Sequence, residues 1–117
     1  MAGYLTTHVL DTARGLPAEG LVVMLFRIEG SERRGLVQMV TNEDGRTDTP
    51  ILPKEDFETG TYELLFHAGH YLQATMQGED DTLFLNEVPI RFTMTEDTHY
   101  HVPLLLSPYS YSTYRGS

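Results

Sequence analysis

The stretch LVVMLFRI, residues 21–28, is the strongest strand signal in this 117-residue chain. Side chains alternate across an extended strand. Val22, Met24, Phe26 and Ile28 therefore line one face, and Leu21, Val23 and Leu25 line the other, ahead of Arg27. A sheet in a two-layer sandwich buries one face only, so the second apolar face needs cover of its own. Self-association is the expected source, although a loop or a helix of the same chain would serve as cheaply. Were the face of Leu21, Val23 and Leu25 covered by another subunit, outward imidazoles on that side would lie in or beside the interface.

Working outward, short β-branched and apolar runs alternate with turn residues, the signature of an all-β sandwich or barrel. YLTTHVL (4–10) reads as a strand, and RGLPAEG (14–20) as a loop. EGSERRG (29–35) reads as a turn, followed by a strand at 36–41. NEDG (42–45) has the Asp-Gly of a tight turn and delivers Arg46 just beyond it. TYELLFH (61–67) is the next strand. AGHYLQATMQG (68–78) departs from the rhythm and predicts one helix of about two turns, with Ala68, Leu72 and Met76 on one side. After the acidic GEDDT (78–82), VPIRFTMT (88–95) and HYHVPLLL (99–106) are expected to pair across TEDT (95–98), and a last strand covers 109–114. The whole, residues 1–117, reads as one domain of seven or eight strands and a helix.

Face counting sorts the later strands as well. Ile90, Phe92 and Met94 share one face against Arg91, Thr93 and Thr95, the half-buried pattern of an antiparallel sheet. Tyr100, Val102, Leu104 and Leu106 form a continuous apolar face, which turns His99 and His101 outward. In the first strand Leu5 and Val9 fall on one side, Thr6 and His8 on the other.

Composition narrows the function. Seventeen acidic residues against eight basic ones give a net charge of −9. That disfavours nucleic acid and anionic membranes, which require clustered cations. No apolar run approaches the ~18 residues needed to span a bilayer, and no secretory leader is visible ahead of the first strand. The chain has no cysteine, which removes disulfides and thiol chemistry and is compatible with a reducing compartment. A cytoplasmic protein is expected. In so acidic a chain, any site for an anion must be built from a few well-placed arginines.

The residue types left to do chemistry are few. No G-x-S-x-G elbow, G-x-G-x-x-G loop or Walker pattern occurs. Most carboxylates sit in runs such as KEDFE (54–58), which read as solvated loops. His99 and His101 have the spacing of two imidazoles on one side of a strand, but a zinc site would need a third ligand that the sequence does not supply. A strand histidine is ordinarily a surface or interface residue, and His67 and His70 beside the helix read that way. What remains is a set of imidazoles and guanidiniums: His8, Arg46, His101 and Arg115.

Three dispersed segments turn this set into a pattern. LTTHVLDTARGLPAEGLVVMLFR (5–27), TNEDGRTD (41–48) and HYHVPLLLSPYSYSTYRGS (99–117) resemble the transthyretin-like family, in its 5-hydroxyisourate hydrolase branch. The terminal Tyr-Arg-Gly-Ser separates that branch from the hormone carriers, and it agrees with His8 in THVLD, Arg46 in DGRTD and His101 in HYHVP. The resemblance implies a two-sheet antiparallel β-sandwich with one short helix, assembled as a homotetramer, a dimer of dimers. It implies hydrolysis of 5-hydroxyisourate to 2-oxo-4-hydroxy-4-carboxy-5-ureidoimidazoline in urate breakdown. His8, Arg46 and His101 would be catalytic, Tyr114, Arg115 and Ser117 would contact substrate, and neither metal nor cofactor would be needed. The alternative within the same fold is a carrier of thyroid-hormone-like small molecules.

Overall fold

The computed structural model describes residues 3–78 and 82–116. Two four-stranded sheets pack face to face. One runs β2-β1-β7-β8, from Leu16–Pro17, Tyr4–Asp11, His99–Leu106 and Tyr111–Thr113. The other runs β4-β3-β5-β6, from Glu32–Val40, Val22–Glu29, Gly60–His67 and Glu87–Met94. Helix α1, Ala68–Ala74, follows β5 directly. The core between the sheets is built from alternate residues of the long strands: Leu5 and Val9, Val23 and Leu25, Tyr62, Leu64 and Phe66, Leu104 and Leu106.

The face of β3 that enters this core decides the architecture. Leu21, Val23 and Leu25 are fully buried within the single chain. The expectation that this face meets another subunit is therefore corrected: it meets the opposite sheet. Val22, Met24 and Ile28 are the half-buried outer side, and cover for that side is local. The Arg33 guanidinium lies 4.1 Å over the Phe26 ring, and His67 Nε2 contacts the Met24 sulfur at 3.3 Å. The outward imidazoles belong to the other sheet altogether.

The predicted β6–β7 hairpin does not form. β6 pairs with β5, whereas β7 pairs with β1 and β8, so residues 95–98 cross from one layer to the other. Met94 and Tyr100, at the two ends of the link, both point into the core from opposite sheets, which a flat hairpin would forbid. The Tyr100 hydroxyl holds the crossing by accepting N–H bonds from Thr95 at 2.9 Å and Glu96 at 3.1 Å. β1 and β7 run parallel, the one exception to antiparallel pairing among the described strands.

Three boundaries also shift. The hairpin after β3 turns on Gly30 and Ser31 alone, with Gly30 at φ 64°, so β4 starts at Glu32 within the segment expected to be loop. The 14–20 loop contains the two-residue strand β2, paired with Leu10 and Asp11. Helix α1 stops at Ala74: Met76 adopts φ 61°, Gln77 N–H reaches the Leu72 carbonyl at 2.8 Å, and Met76 N–H reaches Gln73 at 3.0 Å. These are the two bonds of a helix-terminating Schellman turn. The turn carries the Met76 side chain away from the core and leaves it 93% exposed, rather than stacked with Leu72.

Candidate functional site

Parallel pairing of β1 and β7 sets Tyr4 opposite His99 and Thr6 opposite His101. Both strands turn their apolar residues inward, so these four side chains emerge together on the outer face. Directly paired residues on one face lie within reach of each other, and the contacts follow. The Tyr4 and His99 rings stack with centroids 4.1 Å apart and planes nearly parallel. Thr6 Oγ1 stands 2.7 Å from His99 Nε2 and 2.7 Å from His101 Nδ1. His8 is the next outward residue of β1, and its ring centroid is 6.4 Å from that of His101.

Arg46 arrives from the loop after β4. Asn42 shapes that loop: its backbone N–H reaches the Arg46 carbonyl at 2.7 Å, and its side-chain oxygen accepts from Asp44 N–H at 2.9 Å and Arg46 N–H at 3.2 Å. Gly45, at φ 75°, has its carbonyl bonded by Val9 N–H at 2.8 Å. A side chain there would collide with the Val9 carbonyl oxygen. Glycine therefore lets the turn lie flat on β1, and Arg46 forms a backbone bridge to His8.

These elements enclose a cavity of about 380 Å³, lined by Tyr4, Thr6, Arg46, Asp48, His99 and His101 among others. Burial, then the Arg46 charge, lower the pKa of His8 below 6.5, against the opposing pull of Asp44. Burial, then the charges of Arg46, His99 and His8, lower that of His101. Both shifts favour the neutral ring, the form that carries one lone pair able to act as a base. Among the described residues no three His, Asp or Glu side chains gather closely enough to hold a metal ion.

The carboxyl-terminal segment divides at this point. Gly116 N–H donates to the His101 carbonyl at 2.7 Å, which lays the chain against the imidazole. Tyr114 and Arg115 instead line a separate hollow of about 260 Å³ near β6, where the Arg115 guanidinium sits 4.1 Å over the Tyr100 ring. Ser117 lies outside the described residues. Of the residues expected to form the site, the single chain brings together His8, Arg46 and His101. A larger hollow, about 660 Å³, opens between β4 and residues 49–58. It has no imidazole, and its arginines are engaged, Arg27 with Glu58 and Arg34 with Glu29.

Three residues of the site escaped sequence reasoning. Thr6 carries a detectable signal, two positions before His8 on the same strand face. Asn42 acts through its side-chain oxygen, a turn role that Asn ahead of Asp-Gly could have signalled, whereas Gly116 acts through the space its missing side chain leaves, which no side-chain pattern reveals.

The fold is a two-sheet β-sandwich that gathers two imidazoles and a guanidinium on the outer face of one sheet. The chain belongs to the HIUase/Transthyretin family, whose profile matches residues 5–116. It is 56% identical over 117 residues to 5-hydroxyisourate hydrolase 2 of Rhizobium meliloti, covering 99% of this chain and 98% of that one. Among solved structures it resembles Klebsiella pneumoniae 5-hydroxyisourate hydrolase, with a TM-score of 0.79, 31% identity, and coverage of 98% and 94% of the two chains. Sea bream transthyretin in complex with thyroxine matches with a TM-score of 0.86 at 23% identity, covering 96% of this chain and 93% of that one, and so shares the fold.

Proposed function

We propose that this chain hydrolyses 5-hydroxyisourate in urate degradation. The observation that carries the reading is the convergence of His8, Arg46 and His101 from three distant segments, alongside the 56% identity to a protein named for that hydrolysis.

The reaction adds water to a ring carbonyl and breaks the adjoining C–N bond. One imidazole removes a proton from water as its oxygen attacks the carbonyl carbon. The other orients the water or returns a proton to the departing nitrogen. General acid–base assistance of this kind is worth roughly 10²–10⁴-fold. Arg46 holds the substrate oxygens and stabilises the negative charge that develops on the carbonyl; a donor of this type contributes about 10²–10³ in rate. Neutral rings favour this division of labour, because a protonated imidazole has no lone pair for water.

Tyr114, Arg115 and Ser117 complete the proposal as substrate contacts. Gly116 against His101 supports a role for its neighbours in the chain, and Arg115 would have to leave the Tyr100 ring to take part. We further assign the protein to the cytoplasm, with which its cysteine-free composition is compatible, and to a homotetramer, a dimer of dimers. Among the described residues, Leu16, Tyr109 and Tyr111 belong to the exposed apolar surface that such an assembly could use, together with Val40, Met76, Phe84 and Tyr114.

The test is direct. 5-Hydroxyisourate is generated from urate with urate oxidase, and its ultraviolet decay is followed with and without the protein. Acceleration over the spontaneous rate is expected. A decay rate unchanged by the protein, with thyroxine bound instead, would replace the enzyme with a carrier.

A further inference from the structure

Thr6 occupies an unusual position between two imidazoles. Its hydroxyl oxygen is 2.7 Å from a nitrogen of each, His99 Nε2 and His101 Nδ1. A hydroxyl has one proton, so it can donate to only one of them. The two facing nitrogens cannot both be bare, and at least one must carry its own proton and donate to Thr6.

The surroundings decide which. Tyr4 stacks on His99, His8 approaches His101, Arg46 and Asp48 line the shared cavity, and Arg115 reaches the His99 carbonyl at 3.5 Å. With Nδ1 of His101 taken by Thr6, the only ring nitrogen left to the cavity is Nε2. Arg46, which lines the same cavity and acts electrostatically on His101, is a donor with no accepting atom. A bare Nε2 suits that cation, and an N–H would oppose it. The Cδ2 edge of the ring rests against Gly116, where a side chain would come within 2.6 Å. The imidazole is thereby constrained by Thr6 on one side and by the backbone on the other.

We propose that Thr6 is a positioning residue that holds His101 as the Nδ1–H tautomer, its own O–H donating to His99 Nε2, so that His101 Nε2 is the general base. This rests on the hydrolytic reading above and sharpens it by assigning the base. In the step, water loses a proton to His101 Nε2 as its oxygen bonds to the substrate carbonyl carbon. The resulting imidazolium keeps its Nδ1–H directed at Thr6 Oγ1, which stabilises the positive charge. Collapse of the adduct breaks the C–N bond, and the departing nitrogen takes up the proton held on His101 Nε2, which restores the neutral imidazole.

The experiment compares Thr6→Val, which keeps the shape and removes the hydroxyl, with Thr6→Ser, which keeps the hydroxyl. Nitrogen-15 spectra of the imidazoles at pH 8 report the tautomers without any substrate. The expected result is Nδ1–H for His101 in the wild-type protein and in Thr6→Ser, with loss of that preference in Thr6→Val. In the decay assay Thr6→Val should lose about ten- to a hundredfold in kcat, on the scale known for partners that orient metal-bound imidazoles, with KM little changed and Thr6→Ser close to wild type. A wild-type His101 protonated at Nε2 overturns the proposal, as does full kcat in a folded Thr6→Val. Should the wild-type protein fail to hydrolyse 5-hydroxyisourate, the functional reading falls, while the spectra still decide the role of Thr6 in holding the ring.

Discussion

Gly116 and His101 are joined through the backbone at 2.7 Å, and the glycine lies so close to the imidazole that a β-carbon would sit 2.6 Å from Cδ2. Gly116 thus packs against the Cδ2 edge of the histidine ring. This gives the glycine of the terminal Tyr-Arg-Gly-Ser a physical meaning. It is needed for space beside the ring, since a side chain of any size would push the imidazole off Thr6.

Gly116→Ala should therefore reduce turnover by at least tenfold with little change in melting temperature. The bridge is a single backbone contact on the outer face of the sheet, so stability should be little affected by it. The decay assay and a thermal melt, run on the same preparation, check both halves. Wild-type turnover would mean that the ring has room to move and that the close approach has no consequence.

Gly45→Ala acts on the other side of the site. The left-handed conformation at φ 75° costs a residue with a β-carbon about 1–2 kcal/mol, and the collision with the Val9 carbonyl adds to it. The turn must lift from β1, taking Arg46 with it. We expect a lowered denaturation midpoint together with a rate loss of about 10²–10³, that of a lost oxyanion donor. A stability loss with unimpaired turnover would show that Arg46 does not depend on this turn.

The pH dependence follows from the direction of the histidine shifts. His8 and His101 both bind protons less readily in the folded chain than the ordinary 6.5, chiefly because of burial, then the charge of Arg46. The acid limb of kcat/KM should therefore fall below pH 6.5 and move toward it in Arg46→Gln. The same shifts make the unfolded chain the better proton binder below pH 6.5. Stability should decline on acidification through and below that value. An acid limb above pH 7 in the wild-type profile would contradict the placement of these rings beside a cation.

Asp11 governs stability at both ends of the pH scale. It is buried at the end of β1 and accepts from the Tyr71 hydroxyl at 2.7 Å, Gln77 Nε2 at 2.8 Å and the backbone N–H groups of Ala13 and Arg14 at 3.1 and 3.0 Å. Burial alone would raise its pKa, but the hydrogen bonds from Tyr71, Gln77 and Arg14, with the Arg14 charge, outweigh burial and lower it. Its contribution is present above pH 3.8 and is lost as the pH falls through and below that value. Tyr71 shows the converse: burial first, then the bond to Asp11, push it up to about 12, so its contribution is lost as the pH rises from 10 toward 12. Asp11→Ala should cost about 1–3 kcal/mol for the donors left unpaired, measured by urea unfolding at pH 7, and leave the decay assay unaffected. An unchanged midpoint would show that solvent replaces the carboxylate.

Much of this molecule is legible in its residues. Strict alternation in residues 99–106 correctly sends Tyr100, Val102, Leu104 and Leu106 inward and the imidazoles outward, because a strand has only two sides. The Asp-Gly of residues 44–45 marks a turn because only glycine takes that φ without strain. The segments around His8, Arg46 and His101 likewise carry enough pattern to single out those three side chains. Where the reading went astray, at the expected β6–β7 hairpin and the expected interfacial face of β3, the missing information was which strands lie beside which. Alternation fixes two faces for a strand but is silent on its neighbours, and a four-residue link serves a hairpin or a crossing between layers equally well. Only the tertiary structure pairs β1 with β7 in parallel, and that pairing alone sets Thr6 opposite His101, a contact across 95 positions of sequence that no local rule encodes.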